Sequence, residues 1–419
     1  MTEPLIPIPV GLLRRARLTD GAIVDVSIDD GIVVAVGPTG ADLPSNPGIE
    51  IDLDGYLLTT AAAEPHGHLD KALSWDLIEP PFGDLDRAVE NWHAHSERMT
   101  EADVLTRARS AAQRMLANGI TAVRSHVDLL PGPDPLRGVR ALTVLRRELE
   151  GIMDLELVAL GGWNTPDEVF DAALDAGVEL MGGAPHMSPD PTADLDRLLA
   201  IARRRGVGID LHTDESLEGA VTLSAYARTV ANWDVMKSAG HCVRLSTMQD
   251  ADLAEVIAEV RRADIGIISL PITNLYLQGW GLSASVPRGI APLRALLDAG
   301  VRVAAGADNV RDPFNPVGRC DPLETASLLV TAAHLTPQEA LTAVTGGARD
   351  VMGLAPAGPR VGARADLLAI EATNVGEAVA FASSARFVFR AGILVSRTTM
   401  RVDSALVAPA AASLVPTGR

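Results

Sequence analysis

The sequence predicts an α/β fold in which a TIM-like (β/α)8 barrel carries a small β-sandwich domain made from both chain ends. Helical stretches alternate with short apolar strands over residues 58–357, a pattern that implies a parallel sheet. Strand and turn signals dominate both flanks, residues 1–57 and 358–419. The 419 residues also exceed the roughly 250 that a barrel uses, so they leave room for an appended domain.

The N-terminal flank reads as a series of short hairpins. Asp20 and Gly21 follow one β-rich run, and Asp30 and Gly31 follow the next. Asp-Gly is a strong hairpin signal because the turn needs positive φ. Strand-like runs return in the C-terminal flank, for example at 386–390, so we expect the two ends to pair into one domain.

The central region carries helix-start signals between its strands. The strands are predicted at 121–126, 155–160, 178–181, 207–211, 265–270, 301–305 and just before His241. Thr100 is predicted to begin a helix that ends near Gly119. A cap residue followed by proline at the first helical position is predicted at Thr165–Pro166, Asp190–Pro191 and Thr336–Pro337.

Composition narrows the class of partner. The formal net charge of −18 argues against nucleic acid or an anionic membrane as a partner. Cys242 and Cys320 are too few for a disulfide framework, and a reducing cytoplasm is the expected location. The sequence shows neither a basic leader followed by an apolar segment nor an apolar run long enough to span a membrane. A small molecule is therefore the expected partner.

Polar residues gather where the predicted strands end, the face on which barrel enzymes place their active sites. His66 and His68 follow an apolar run and are two positions apart, so they project to the same face. His212, His241 and Asp308 follow later strands. Three histidines and one carboxylate suit zinc or iron(II) with a position left for water. The predicted metal ligands are His66, His68, His212 and Asp308.

The same set predicts a hydrolytic mechanism. A bound metal lowers the pKa of its water towards about 7 and supplies hydroxide at neutral pH. Glu215, three residues beyond a ligand histidine, is the predicted general acid and base. Asp308 can also accept the water's proton, and His241 can polarise the electrophile. His126 is predicted to be a hydrogen-bonded neighbour of the site rather than a ligand.

These motifs resemble the amidohydrolase superfamily. They are His66-Gly67-His68, Ser125-His126-Val127-Asp128, His212-Thr213-Asp214-Glu215, Gly240-His241 and Asp308. Within the superfamily the chain looks most like the bacterial cytosine deaminase group, whose relatives include N-alkylammelide amidohydrolases. The resemblance implies one divalent metal ion, zinc or iron(II), because strand four (178–183) lacks the lysine that bridges two metals in binuclear relatives. It assigns the same ligands and the same roles to Glu215 and His241.

The chain departs from the cytosine deaminase pattern where the substrate would bind. Gly161, Gly162 and Trp163 stand where that group presents a glutamine, Asn309 replaces an acidic residue, and Phe314 replaces a tryptophan. Losing a directional hydrogen bond to a ring edge changes discrimination strongly, so cytosine itself is not the expected substrate. The predicted substrate-binding residues are Lys71, Trp163, His186, Gln278, Asn309 and Phe314.

Two of those predictions have a structural alternative. Lys71 can bind a carbonyl or anionic group of the substrate, or it can pair with Asp70 or another acid. His186 can contact the substrate or fill the barrel mouth.

The sequence therefore predicts a metal-dependent hydrolytic deaminase of a small cyclic, amine-bearing heterocycle such as a cytosine-like pyrimidine. One alternative is release of an alkylamine from an s-triazine ring, and another is hydrolysis of a lactam or imide. Retention of Glu215 favours deamination. A non-catalytic scaffold is disfavoured because the ligand set is intact, and a homo-oligomer stays open.

Overall fold

The computed structural model describes residues 5–44 and 46–404, so the outermost parts of the predicted β-sandwich domain, 1–4 and 405–419, lie outside the described residues. The strands are β1 (Ile8–Arg17), β2 (Ile23–Asp29), β3 (Ile32–Pro38), β4 (Ile49–Asp52), β5 (Tyr56–Thr60), β6 (Ala62–Gly67), β7 (Ile120–Asp128), β8 (Asp154–Leu160), β9 (Leu180–Met181), β10 (Gly208–Thr213), β11 (Lys237–His241), β12 (Gly266–Ser269), β13 (Val303–Ala305), β14 (Leu367–Glu371), β15 (Arg386–Arg390) and β16 (Ile393–Thr398).

The helices lie mainly between the strands of the central region. They are α1 (Trp75–Ile78), α2 (Leu85–Ser96), α3 (Glu101–Ala117), α4 (Arg137–Glu148), α5 (Asp167–Asp175), α6 (Pro191–Arg205), α7 (Leu223–Val230), α8 (Asp250–Ala263), α9 (Pro271–Leu277), α10 (Leu293–Asp298), α11 (Pro322–Ala333), α12 (Pro337–Val344), α13 (Gly346–Val351) and α14 (Val375–Phe381). Short 3-10 helices occupy Pro185–Met187 and Val243–Thr247.

One of the two sheets is the predicted (β/α)8 barrel. In the described part of the chain it holds eight strands, β6 to β13, arranged in chain order and parallel to their neighbours. The first and last strands are joined by a side chain, because the Glu64 carboxylate accepts a hydrogen bond from the backbone nitrogen of Ala307 at 2.7 Å. This arrangement confirms the predicted fold class and brings the carboxyl ends of all eight strands to one face.

The second sheet combines both ends of the chain, as predicted. Within the described residues it contains β1 to β5 together with β14, β15 and β16. β14 pairs antiparallel with β5 on one side and with β15 on the other. Buried side chains such as Leu13, Val26, Leu58 and Phe389 form its core. The boundaries drawn at residues 57/58 and 357/358 stay a prediction.

Two of the three predicted cap-and-proline helix starts are present. The Asp190 side chain accepts from the backbone nitrogen of Ala193, with Pro191 as the first helical residue. Thr336 forms a full capping box with Glu339 at the start of α12.

The prediction at Thr165–Pro166 is wrong by one position. Pro166 is itself the N-cap residue, with extended backbone at φ −61° and ψ 145°, and α5 begins at Asp167. The Thr165 carbonyl accepts a hydrogen bond from Arg197 at 2.8 Å. Because proline is as compatible with extended backbone as with helix, the dipeptide alone does not fix which residue begins the helix.

Two buried arginines connect the β domain to the barrel. Arg386 of β15 donates to the Asp321 carboxylate at 2.9 and 2.8 Å and to the backbone oxygen of Asn118 at 2.8 Å. Arg349 of α13 pairs with the buried Asp366 at 2.5 Å. Among the described residues, no helix is long and apolar enough to span a membrane.

Candidate active site

The carboxyl ends of the barrel strands bring together the four predicted metal ligands. His66 lies in β6 and His68 follows that strand directly, while His212 lies in β10. Asp308 follows β13. All four side chains are buried. The period-two alternation of β6 continues to the residue after the strand, which explains why both histidines enter the barrel interior.

The ligand atoms converge on one point. The Nε2 atom of His212 lies 3.2 Å from Nε2 of His66 and 3.1 Å from Nε2 of His68. Oδ1 of Asp308 lies 3.2 Å from Nε2 of His68. Donor atoms that share one metal at about 2.1 Å lie about 3 to 4 Å from one another, so these separations suit a single ion.

Unsatisfied polar atoms support that interpretation. Within the described residues, neither carboxylate oxygen of Asp308 nor Nδ1 of His212 has a hydrogen-bond partner. One Nε2 atom cannot make good hydrogen bonds to two other Nε2 atoms at once, because each neutral ring supplies a single N–H. A buried, unpaired carboxylate is costly in free energy. A divalent cation fits the cluster because it would satisfy the Asp308 carboxylate and accept the lone pairs of the three converging Nε2 atoms.

The protonation states also suit a metal. Burial lowers the pKa of His68, His212 and His241 well below the usual range, with further contributions from Lys71 at His68 and from His66 at the other two. Burial raises the pKa of Asp308 well above the usual range, and the nearby Glu215 carboxyl adds to that effect. Neutral imidazoles keep a lone pair for a metal, and a cation would favour the charged form of the carboxylate.

Glu215 and His241 lie side by side on the wall of a cavity that opens onto the ligand cluster. Oε1 of Glu215 is 3.4 Å from Nδ1 of His241. Burial raises the pKa of Glu215 to about 8, and the charge of Lys71 opposes that rise. Nδ2 of Asn274 is 2.9 Å from the same His241 nitrogen. With the Asn274 amide in this orientation, its N–H donates to Nδ1 of His241. The proton of the neutral His241 ring is therefore on Nε2, which lies 4.0 Å from Oδ2 of Asp308.

Lys71 is held by an acid, one of the two alternatives that the sequence left open. Its ammonium donates to Oδ1 of Asp128 at 2.7 Å and lies 3.0 Å from Nδ1 of His68. Burial lowers the pKa of Lys71, but Asp128 and Asp70 outweigh burial and raise it, so the side chain is charged. If Nε2 of His68 binds a metal, Nδ1 must carry the ring proton and can no longer accept a hydrogen bond from Lys71. Asp128 then remains as the acceptor for the Lys71 ammonium.

Three residues of the site have left-handed backbone just after a strand or at its end. They are Asp214 at φ 50°, His241 at φ 67° and Asp308 at φ 62°. Residues other than glycine are uncommon in this conformation, although aspartate and histidine adopt it more often than most, and it often marks functional sites. The Asp214 carboxylate holds the first of these turns by accepting from Thr222 N at 2.8 Å and Leu223 N at 3.1 Å.

A cavity of about 290 Å³ opens onto the ligand cluster. Part of its wall comes from α2, which contributes Leu85, Val89, Trp92 and His93, and part from the loop after β7, which contributes Leu129, Leu130 and Pro131. The wall also includes Glu215 and His241 together with His68, His212 and Asp308. The cavity is thus polar beside the ligands and largely apolar elsewhere.

Four of the six predicted substrate-binding residues line this cavity, namely Lys71, Trp163, Asn309 and Phe314. The structure places neither Gln278 nor His186 on that wall. The Gln278 amide donates to the backbone oxygen of Glu215 at 2.8 Å. Nδ1 of His186 lies 3.2 Å from the backbone oxygen of His212. Both side chains turn towards the backbone of site residues, which removes them from the cavity.

His93 is a cavity residue that no motif in the sequence identifies. Its side chain is exposed and still lies on the cavity wall. The helical spacing predicts this position. One face of α2 carries the residues at i, i+4, i+7 and i+8, which are Leu85, Val89, Trp92 and His93. Asn164, beside Trp163, was also missed as a cavity residue.

Comparison with known proteins agrees with this geometry. Residues 83–396 match the model of the amidohydrolase family. A pterin deaminase of Rhizobium rhizogenes is 31% identical over 387 residues, which cover 89% of this chain and 88% of that protein.

Two solved structures share the whole architecture. One is 5-methylcytosine deaminase from Klebsiella pneumoniae with phosphonocytosine, at 25% identity and a TM-score of 0.85, covering 94% of this chain and 100% of the other. The other is N-isopropylammelide isopropylaminohydrolase from Burkholderia multivorans, at 27% identity and a TM-score of 0.78, covering 93% and 98%.

The chain belongs to the amidohydrolase family. It is a hydrolase that acts on carbon–nitrogen bonds other than peptide bonds, of the kind found in cyclic amidines. The resemblance inferred from its motifs is confirmed.

Proposed function

We propose that this protein is a metal-dependent hydrolytic deaminase of a small heterocycle that carries an amine on a ring carbon next to a ring nitrogen. The observation that carries the proposal is the position of Glu215. Its buried carboxyl, with a pKa of about 8, shares one cavity wall with the ligand cluster. It can therefore hold a proton at neutral pH and release it inside a water-poor site.

A divalent metal held by His66, His68, His212 and Asp308 would supply Lewis acidity that activates water. The chain's own groups move the protons. As water adds to the amine-bearing carbon, Glu215 protonates the ring nitrogen, and Asp308 accepts a proton from the water. Glu215 then takes the proton of the added hydroxyl and passes it to the departing amine, so that ammonia leaves and a ring carbonyl remains. The proton held by Asp308 returns to Glu215 and restores the starting state.

His241 and Lys71 have supporting roles in this proposal. The Nε2–H of His241 faces Asp308, so it can donate to the oxygen that becomes negatively charged as water adds. Lys71 keeps positive charge at the edge of the cavity through its pair with Asp128. That charge favours a substrate that presents a carbonyl oxygen to it.

The relatives support the same chemistry. A pterin deaminase and a 5-methylcytosine deaminase both carry deamination in their names, and this chain matches each over most of its length. The two names describe different rings, so we propose the class of substrate and leave the ring itself to experiment.

A second candidate function is release of an alkylamine from an s-triazine. The fold match to N-isopropylammelide isopropylaminohydrolase supports it. So does the apolar wall of Leu129, Leu130 and Pro131, which could accommodate an alkyl group.

The test is a product screen with protein reconstituted with zinc or with iron(II), across aminopyrimidines, pterins, amino-s-triazines, creatinine-like rings and lactams. Ammonia from ring amines supports deamination, and alkylamine release without ammonia supports the second candidate. Opening of lactams without release of any amine contradicts both. Metal analysis of the same samples should find about one ion per chain, whereas two tightly bound ions would contradict the ligand assignment.

A further inference from the structure

Directly beneath the ligand cluster, the barrel interior contains a buried ion pair. Arg124 of β7 and Asp210 of β10 are both fully buried, and Nη1 of Arg124 donates to Oδ2 of Asp210 at 3.2 Å. Barrel interiors are usually filled by layers of branched apolar side chains, and burying two charges is costly in free energy. A pair at this depth therefore calls for a reason beyond packing.

Arg124 is held rigidly from several directions. Nε donates to Glu156 at 2.6 Å, Nη1 also donates to Oγ of Ser238 at 3.1 Å, and Nη2 donates to the backbone oxygen of Met352 at 3.2 Å. These partners lie on β8, on β11 and just after α13. The guanidinium thus fixes the position of the Asp210 carboxylate relative to three other parts of the barrel.

Asp210 in turn faces a predicted metal ligand from behind. His66 directs Nε2 into the ligand cluster, while its other nitrogen, Nδ1, lies 3.6 Å from Oδ1 of Asp210. The same Nδ1 is 3.0 Å from Nε2 of His126, which is itself 3.7 Å from Oδ2 of Asp210. His126 and Asp210 therefore meet the side of the His66 ring that points away from the metal position.

The period of two along each strand places the Arg124–Asp210 pair in a layer of its own inside the barrel. His126 is two residues beyond Arg124 on β7, and His212 is two residues beyond Asp210 on β10. Residues two apart on a strand point to the same face. The ion pair therefore lies one level below the histidines.

We propose that Asp210, His126 and Arg124 are positioning residues that fix the ring orientation of His66, so that Nε2 is presented to the metal. Groups that hydrogen-bond the distal nitrogen of a metal-binding histidine commonly set metal affinity. In this chain His126 makes that contact at 3.0 Å, and the arginine-held carboxylate of Asp210 lies beside it, 3.6 Å from the same nitrogen. The inference rests on the ligand set of the proposed function.

The test compares Asp210→Asn with a matched variant, Asp366→Asn. Asp366 is also a fully buried carboxylate paired with arginines, Arg349 at 2.5 Å and Arg364 at 3.0 Å, but it belongs to the contact between the two domains. Each metal-free protein is titrated with zinc against a chelator, its Co²⁺ absorption spectrum is recorded, and its unfolding temperature is measured without metal.

We expect Asp210→Asn to weaken zinc binding about 10- to 100-fold and to alter the Co²⁺ spectrum, while Asp366→Asn lowers only the unfolding temperature. Equal affinities in wild type and Asp210→Asn would overturn the inference. So would equal losses of affinity in Asp210→Asn and Asp366→Asn, since that result would indicate general destabilisation. A wild-type protein that binds no zinc would instead contradict the ligand set itself.

A second variant keeps the test decisive if Asp210→Asn does not fold. His126→Gln leaves the Arg124–Asp210 pair intact and removes only the imidazole at 3.0 Å from His66. The same loss of zinc affinity and change in the Co²⁺ spectrum are expected from this variant. Unchanged binding would overturn the positioning role.

Discussion

The backbone of Gly240 lies against the imidazole of His66. A β-carbon built at position 240 would lie 2.6 Å from Cε1 and 2.9 Å from Nδ1 of that ring. His66 belongs to β6 and Gly240 to β11, so the histidine reaches across the barrel interior into space that only a glycine leaves open. The absence of a side chain on one strand thus sets where a predicted metal ligand on another strand can lie.

This contact predicts that Gly240→Ala impairs metal binding. The added methyl must displace the His66 ring, because it would lie closer than 3.0 Å to ring atoms. A packed ring, unlike the end of a flexible side chain, cannot easily move aside. We expect at least a 10-fold loss of zinc affinity, on the order of the effects seen when groups around a metal ligand are changed. Chelator competition measures it. Gly346→Ala is the control, since a β-carbon there meets nothing within 4 Å, and equal affinities in the two variants would contradict the prediction.

Glu215→Gln is predicted to lower turnover at least 100-fold and to leave the metal in place. The amide keeps the shape of the side chain but cannot donate and recover a proton at the ring nitrogen. General acid–base catalysis contributes about 100- to 10,000-fold, so kcat should fall by that order while metal content stays at one ion per chain. Glu218→Gln, an exposed carboxyl on the same loop, is the control. A Glu215→Gln variant with near-normal kcat would remove Glu215 from its proposed role.

The periodicity and the common direction of the barrel strands explain why the ligand cluster could be predicted. His66 and His68 share a face by the period of two, and Asp308 follows another strand of the same parallel sheet. Parallel strands in a barrel deliver their carboxyl ends to one face. No knowledge of side-chain packing was needed for that step.

The contacts that the sequence did not reveal join elements far apart in the chain. Nε1 of Trp92 on α2 donates to Asp128 at the end of β7, which is also the partner of Lys71. Gln278 turns away from the cavity because the Glu215 carbonyl is within reach of its amide. These hydrogen bonds depend on which polar groups the folded barrel brings within reach of each side chain. The local sequence pattern around each residue carries no information about such distant groups.

Glu64 is predicted to make stability fall with rising pH. Burial raises its pKa to about 7 from the ordinary 4.5, although the backbone of Ala307, His66 and Asp308 opposes the rise. Below pH 4.5 the carboxyl is protonated in both the folded and unfolded chains, so its contribution is fully present. It is lost as the pH rises through 7, by roughly 3 kcal/mol.

Glu64→Gln removes that titration, so metal-free Glu64→Gln should gain stability relative to metal-free wild type between pH 4.5 and pH 7. Urea unfolding at several pH values measures the difference in free energy of unfolding between the two proteins. A difference that stays constant across that range would show that Glu64 titrates normally in the folded chain.

Trp163 is predicted to select for an apolar substituent on the substrate ring. It lies on the cavity wall and is 54% exposed, so its removal should leave the fold intact. Each buried methylene contributes about 0.8 kcal/mol, or about fourfold. In a series of ring amines with hydrogen, methyl, ethyl and propyl substituents, kcat/KM should rise with chain length in wild type and rise less in Trp163→Ala.

Trp280→Ala is the matched control for that series. Its ring is 48% exposed, similar to Trp163, and it is not among the residues that line the cavity in the described chain. It should reproduce the wild-type slope of kcat/KM against chain length. Identical slopes in all three proteins would show that the apolar wall does not contact the substituent.

Trp92 is predicted to hold α2 over the cavity. Its Nε1 donates to Oδ2 of Asp128 at 2.6 Å, and its ring lies near the Lys71 ammonium, 5.7 Å from the centroid. Trp92→Phe keeps an aromatic ring and removes the hydrogen bond to a charged acceptor, which contributes about 1.5–3 kcal/mol. We expect backbone amides of 85–96 to exchange with solvent at least 10-fold faster, and KM to rise more than kcat falls, because the helix supplies wall rather than chemistry. Trp75→Phe is the control, since the Trp75 ring contacts Phe82 in a tilted arrangement and neither residue lines the cavity in the described chain. Faster exchange throughout the barrel in Trp92→Phe, instead of exchange confined to α2, would mean that Trp92 supports the core and that the helix is held by other contacts.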